Sequence, residues 1–337
     1  DTDFIAANTN GFAALRDHMD AADTRALALE CGVDHADIEA AADAYAASRN
    51  TIFAWGMGMT HHRHGVQNIE WICNLALARG MAGKRYAGLL PLRGHSNVQG
   101  IGTIGVKPVL GDAVFKRMES AFNVTLPQRE GLHTMASLEQ AHAGRVDTAL
   151  IMGGNLFEAT PDSAWAEQAL DNIGCKVFLT TTLNRGHVQG VDSGEVLILP
   201  VCARDEEPEP TTQESMFNFV RMSDGGIRRI ATVRSEVDIL ADLGRLLLPD
   251  SPVDMLAFKR HARVREAIAE VIPGMEALRD IDIARREFYV SGRVLHTPTF
   301  NTPDGRAHFV VPSKSARHES GERPFTLMSI RSEGQFN

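Results

Sequence analysis

The sequence predicts an α/β protein built on a doubly wound parallel sheet, and three observations predict it. Short apolar runs recur at Thr51-Ile52-Phe53-Ala54-Trp55, within residues 146–152, at Lys176-Val177-Phe178-Leu179-Thr180 and at Glu195-Val196-Leu197-Ile198-Leu199-Pro200. Continuous rather than alternating hydrophobicity marks strands buried on both faces. The first three runs give way to polar turns, namely residues 56–64, Gly153-Gly154-Asn155 and residues 181–187, and stretches with helical spacing separate the runs. Parallel sheets wound in this way bind ligands beyond the carboxyl ends of their strands.

Composition bounds the function. A chain of 337 residues can bury a sizeable core and hold two domains, or one large α/β domain with appendages. The net charge of −9 and the lack of any basic run argue against a nucleic-acid surface, which needs clustered Lys and Arg. No apolar window reaches the length of a membrane span and no secretory signal opens the chain, so a soluble, cytoplasmic protein is expected. Cys31, Cys73, Cys175 and Cys202 lie far apart without C-x-x-C spacing, which offers neither a zinc ribbon nor an iron–sulfur ligand set. Because the chain starts at Asp1 without methionine and stops inside a polar loop, it reads as an internal fragment.

Taken in order, residues 1–50 are alanine-rich with apolar residues at helical spacing (Phe12, Leu15, Met19; Ile38, Ala41, Ala42, Tyr45), and predict two or three helices. After the strand at 51–55, a helix is expected from near Val66 to Gly80, with Ile69, Ile72, Cys73 and Ala76 on one face. Residues 106–134 read as irregular, and a helix over 137–143 leads into the strand at 146–152. Another over 164–170 precedes the strand at 176–180. Residues 203–213, acidic and proline-flanked, predict an exposed loop. Amphipathic helices follow over 235–247 and 254–272, then a hairpin over 300–309 turning at Pro303-Asp304-Gly305, and a last strand from Pro324.

Between the first two strand units lies Pro91-Leu92-Arg93-Gly94-His95-Ser96-Asn97-Val98-Gln99-Gly100, too glycine-rich for a stable helix and too irregular for a strand. Glycines let backbone N–H groups turn toward an anion, and Arg93 offers a planar fork for phosphate or carboxylate. The plainer alternative is a tight connection with incidental polar residues. His61-His62-Arg63-His64 invites a metal reading, but no Cys or carboxylate partner is placed by the local sequence, so no metal ligand is assigned. The fingerprint G-x-G-x-x-G follows none of the strands, which disfavours a plain nicotinamide or flavin dehydrogenase.

Five stretches together carry a resemblance: residues 55–66, residues 93–100, Met152-Gly153-Gly154-Asn155, residues 182–187, and Ile330-Arg331-Ser332-Glu333-Gly334-Gln335-Phe336-Asn337. In order and spacing, over nearly the whole chain, they resemble the alpha subunit of molybdopterin oxidoreductases, in the formate-dehydrogenase-like branch. The resemblance implies a helical segment at 1–50 and a Rossmann-like dinucleotide-binding domain at 51–248. It further implies a linker at 249–320 and the first strand of a carboxyl-terminal β-barrel domain at 321–337. The cofactor so implied is molybdenum or tungsten held by two molybdopterin guanine dinucleotides. A [4Fe-4S] cluster and the metal-ligating Cys, selenocysteine or Ser are expected only upstream of this chain.

The resemblance also implies roles. Met57 and His61, with Gly94, Asn97 and Gln99 of the central loop, would approach the pterin, and Gly154 and Asn155 the dinucleotide phosphates. Thr180, Thr181, Asn184 and Arg185 would line the nucleotide side, with Glu236 toward guanine and Arg331, Ser332 and Gln335 reaching a pterin from the barrel. Many relatives outside this branch carry an acidic residue where this chain has Thr180 and Thr181. Arg93 and His95 would be catalytic, the arginine holding a small anionic substrate such as formate; its alternative duty is to neutralise a cofactor phosphate. An electron-transfer subunit is the implied partner. Two rivals stand beside this reading: a Rossmann-like domain for another diphosphate cofactor such as thiamine diphosphate, and a non-catalytic scaffold relative.

Overall fold

Aspartates set the opening helices. The carboxylates of Asp1, Asp23 and Asp34 accept backbone N–H groups at the starts of Thr2–Asn8, Thr24–Cys31 and His35–Ala47, satisfying donors that helix starts otherwise leave unpaired. Together with Phe12–Asp20 this makes four helices, more than the two or three expected. Gly11 at φ 82° divides the first pair, and a Cβ there would lie 2.7 Å from the Phe309 carbonyl. The computed structural model describes residues 1–216, 218–290 and 295–313. It forms two compact units, one from Asp1–Ser96 with residues 295–313 and the other from Asn97–Val290.

In the first unit, Ile52–Trp55 pairs in parallel with Gly88–Pro91 as a separate two-stranded sheet. The expectation that this strand is buried on both faces is corrected, since Ile52 is 59% exposed. Of the face expected on helix Gly65–Ala78, Ala76 is buried and Ile69, Ile72 and Cys73 are half-buried, while Asn74 and Leu77, outside that face, are buried. Leu77 packs with Leu15, Ala82, Ala307 and Phe309. The hairpin expected over 300–309 does not form. Its turn does, with Gly305 N–H donating to Thr302 O (3.0 Å), but Ala307–His308 then pairs in parallel with Thr9–Asn10. Two contacts fix that choice: the Arg306 guanidinium donates to Thr9 O (3.0 Å) and Phe309 N–H to Asn10 O (2.8 Å).

The second unit holds a three-stranded parallel sheet in the order Thr148–Met152, Cys175–Thr180, Glu195–Pro200. The four-stranded sheet suggested by the apolar runs is thus divided between two sheets. Leu138 and Ala141 of helix Thr134–His142 pack with Ala166, Ala169 and Leu170 of helix Ser163–Asp171, and Ala149 of the first strand joins them. The residues that alternate with Ala149 stay exposed: Leu150, Met152, Leu197 and Leu199 are 37–48% accessible. On the central strand Lys176 is fully buried, its ammonium donating to Leu170 O (3.0 Å) and Ile173 O (2.8 Å) where the preceding helix ends. A cation is favoured there by the helix dipole, while burial pushes the lysine pKa down.

Four further expectations are corrected. Residues 106–134 contain the helix Asp112–Phe122, which starts at Gly111 without a side-chain cap and so lacks the usual sequence signal; Val114, Met118, Ala121 and Phe122 pack against buried Val220, Ala269, Val271 and Ile272. Within the glycine-rich loop, Val98–Thr103 is helical. The acidic segment 203–213 is exposed at Arg204, Asp205 and Pro208 but anchored at two of its glutamates. Glu207 is buried and accepts from Ser235 Oγ (2.7 Å), and Glu209 accepts the His261 N–H (2.8 Å), so two carboxylates sit at two helix starts. At that joint the helix expected over 254–272 divides into a 3-10 turn, Met255–Lys259, and helix His261–Val271. The strand expected from Pro324, the barrel it would begin, and Arg331, Ser332 and Gln335 lie outside the described residues.

Candidate functional site

The carboxyl ends of the first two strands of the three-stranded sheet are built as one assembly. The ladder continues one step past Met152, with Gly153 N–H donating to Leu179 O (2.8 Å). The chain then passes through two consecutive left-handed residues, Gly153 (φ 62°) and Gly154 (φ 72°). Only glycine visits that region without a Cβ penalty. Asn155, buried, caps the short helix Leu156–Ala159: its Oδ1 accepts Glu158 N–H (3.1 Å), and its Nδ2 donates to the Glu158 carboxylate.

From the neighbouring strand, Thr180 is buried and its hydroxyl donates to Thr182 O (2.7 Å), which turns the chain at once. Thr181 is exposed. Asn184 joins the two turns. Its Nδ2 donates to Gly154 O (3.1 Å), its Oδ1 accepts Gly186 N–H (2.9 Å), and its own N–H donates to His187 Nδ1 (3.0 Å). Arg185 projects outward, 77% exposed, with Nη1 3.5 Å from Glu158 Oε1. So exposed a pair adds little stability, and the guanidinium remains available to an anion.

Two glycines divide the duties of this assembly. A Cβ at Gly154 would meet nothing within 4 Å, whereas one at Gly186 would lie 2.8 Å from Asn155 Oδ1, 3.1 Å from Asn184 Oδ1 and 3.2 Å from Phe157 Cβ. The first faces open space; the second is where the turns close on each other. Gly186 and His187 lie in the stretch 182–187 that carries the resemblance, but no role follows for either from sequence. His187 is buried, stands edge-on to Phe178 with ring centroids 4.8 Å apart, and has its pKa lowered by burial. The signal for both was the amide three residues ahead of a histidine, which forms a capping box around Arg185–Val188.

Glu236 lies one strand further along the same edge. Val201, just past the third strand, bridges Arg234, and Ser235 caps the helix Glu236–Leu247 by accepting Val237 N–H (3.1 Å). Burial, with Glu207 nearby, raises the Glu236 pKa.

The other predicted residues belong to a second edge or to neither. In the first unit, Trp55 pairs with Pro91 and Leu92 N–H donates to Trp55 O (2.8 Å), so the turns after both strands leave side by side. Exposed Met57 and His61 sit on one turn and exposed Arg93, Gly94 and His95 on the other. Asn97 and Gln99 fall in the second unit, where Asn97 Oδ1 accepts Glu214 N–H (3.0 Å) and Gln99 is half-buried. Among the described residues no group of three His, Cys, Asp or Glu side chains is placed to hold a metal, the tract at His61, His62 and His64 included. Among them, too, no helix is long and apolar enough to cross a membrane.

The family model of molybdopterin oxidoreductases matches residues 9–213. An uncharacterised oxidoreductase of Mycobacterium tuberculosis is 33% identical over 316 residues, covering 91% of this chain and 40% of that protein. Protein YdeP of Escherichia coli K12 is 30% identical over 351 residues, covering all of this chain and 45% of its own length. Formate dehydrogenase H of Escherichia coli is 28% identical over 201 residues, 56% of this chain and 28% of that enzyme. In fold, acetylene hydratase from Pelobacter acetylenicus superposes with a TM-score of 0.57 at 14% identity, over 91% of this chain and 45% of that structure. The chain thus spans less than half the length of the relatives it matches. On the family match, which covers more than half of its residues, the chain belongs to the molybdopterin oxidoreductase family.

Proposed function

We propose that this chain is part of the catalytic subunit of a formate-dehydrogenase-like oxidoreductase, in which molybdenum or tungsten is held by two molybdopterin guanine dinucleotides. Family membership implies a molybdopterin cofactor. Similarity to formate dehydrogenase H, and to the alpha subunit of an F420-dependent formate dehydrogenase of Methanocaldococcus jannaschii at 30% identity over 231 residues, supports a small anion as substrate. A [4Fe-4S] cluster and an electron-transfer partner belong to this proposal, outside the chain in hand.

The observation that carries the reading is the tie between Asn184 and Gly154, which makes one cradle of two turns at the carboxyl ends of adjacent parallel strands. The cradle suits a diphosphate. Glycine lets a ligand approach the backbone closely, the Cβ position at Gly154 is open, and Arg185 stands beside it with a planar fork. Gly154, Asn155, Asn184 and Arg185 would hold the phosphates, and Thr180 and Thr181 the nucleoside, with Glu236 toward the base. Met57, His61, Gly94, Asn97 and Gln99 are proposed for the pterin side. When bound, the metal supplies the redox chemistry; the protein binds, orients and sets the charge around it. For that task Arg93, with His95 beside it, offers a guanidinium that holds a carboxylate in one orientation.

The test is Gly154→Val in the full-length protein. A β-branched residue is strained at φ 72° and fills the open side of the turn. Guanine nucleotide released by acid from the purified protein should fall relative to wild type while the protein stays soluble. An undiminished yield removes Gly154 from the site, and wild-type protein that releases no guanine nucleotide removes the dinucleotide reading.

A further inference from the structure

The loop that bears Asn184 and Arg185 is held from beneath by the covered face of the central strand. Three alternate residues of that strand do the holding: Lys176, Phe178 and Thr180. Lys176 anchors the far end, where a Cβ at Gly190 would come within 2.7 Å of its Nζ and 3.1 Å of Asp171 Oδ1. Phe178 meets the His187 ring edge-on at 4.8 Å, and Thr180 fixes Thr182 O. Of these contacts only the one through His187 reaches Asn184 directly. With its Nδ1 accepting the Asn184 N–H at 3.0 Å, the ring carries its proton on Nε2.

We propose that His187 is a positioning residue for the nucleotide cradle: its unprotonated Nδ1 fixes Asn184, and Asn184 in turn clasps Gly154 and Gly186. A doubly protonated ring has no acceptor. Protonation therefore removes the Asn184 N–H bond, and the residue that ties the two turns loses its support. The ionisable groups on the elements packed against this turn are Glu158 on the short helix, Cys175 and Lys176 on the central strand and Glu195 on the third, with Arg185 in the turn itself. Burial alone lowers the His187 pKa, so folding favours the neutral ring. The sign follows: the contribution is fully present above the ordinary histidine pKa and is lost as pH falls through the lower folded value.

This inference rests on the cradle binding the dinucleotide, and two readouts on full-length protein separate its failure from that of the cradle. The first is amide hydrogen exchange across residues 180–190 between pH 5 and 8, corrected for the intrinsic pH dependence of exchange. It needs no ligand. Wild type should lose protection as pH falls. His187→Phe should be less protected than wild type by roughly fivefold at pH 8, the worth of one net hydrogen bond, with no pH step, so that the two converge at low pH. His187→Asn, whose Oδ1 can take the place of Nδ1, should restore protection and also lack the step.

The second readout is the rate of guanine-nucleotide loss, which should follow the same three patterns. A wild-type pH step retained in His187→Phe, or His187→Asn exchanging as fast as His187→Phe, overturns the positioning role. Should His187→Phe not fold, a missing pH step in wild type or retention of the step in His187→Asn overturns it equally. The exchange pattern as expected, with nucleotide loss unchanged in every variant, keeps the role of His187 in the turn and removes the cradle as the nucleotide site.

Discussion

Gly186→Ala asks for one methyl group where the two turns meet. No backbone strain enters, because Gly186 is not among the residues with positive φ. The added Cβ would lie 2.8 Å from Asn155 Oδ1, closer than such atoms approach in practice, with Asn184 Oδ1 at 3.1 Å and Phe157 Cβ at 3.2 Å. Asn155 and Phe157 are buried, so neither can swing into solvent, and Asn184 yields only by loosening its bonds to Gly154 O and Gly186 N–H. If Asn155 Oδ1 gives way, the cap on helix Leu156–Ala159 is lost at about 1 kcal/mol. Loosening Asn184 costs about 1 kcal/mol more, and the sum of about 2 kcal/mol matches what overpacking a filled site typically costs. That energy corresponds to a weakening of nucleotide retention of roughly 30-fold and, felt globally, to a fall in melting temperature of about 4–8 °C for units of this size. Thermal unfolding of the full-length variant, together with its guanine-nucleotide content, measures both. A variant that melts and retains nucleotide like wild type would refute the argument that Gly186 is where the cradle closes.

Other perturbations address different links. Arg93→Lys keeps the charge and loses the planar fork; if Arg93 orients a small anion, the full-length variant should keep its metal and dinucleotides yet lose turnover on the order of 10²-fold. A joint fall of metal content and activity would assign the arginine to the cofactor instead. Arg265 is buried and donates to both carboxylate oxygens of Asp282 and to Pro210 O (2.7 Å). Arg265→Ala should cost about 2–3 kcal/mol by denaturant unfolding, the loss expected for charged hydrogen bonds to a half-buried carboxylate; a loss under 1 kcal/mol would show that Asp282 and Pro210 O find water instead.

How much of this was legible in the sequence depended on the range of the forces involved. Apolar runs and local caps fixed the parallel strands at 148–152, 175–180 and 195–200 and the helix at 236–247, because a strand or a capped turn is specified by neighbours within a few residues. The motifs around Gly154, Asn155 and Asn184, and the family they resemble, could be read for the same reason. What only the tertiary structure decided was which distant groups meet. Ile52–Trp55 could have joined the larger sheet by its composition, and its pairing with Gly88–Pro91 rests on contacts the run does not encode. The acidic residues at 203–213 look solvated until Ser235 Oγ donates to buried Glu207 and the His261 N–H donates to Glu209. Gly186 and His187 are ordinary letters of a loop. They matter because Asn155, 31 residues before Gly186, and Phe178 close on them, and packing at that distance follows from the fold rather than from any local pattern.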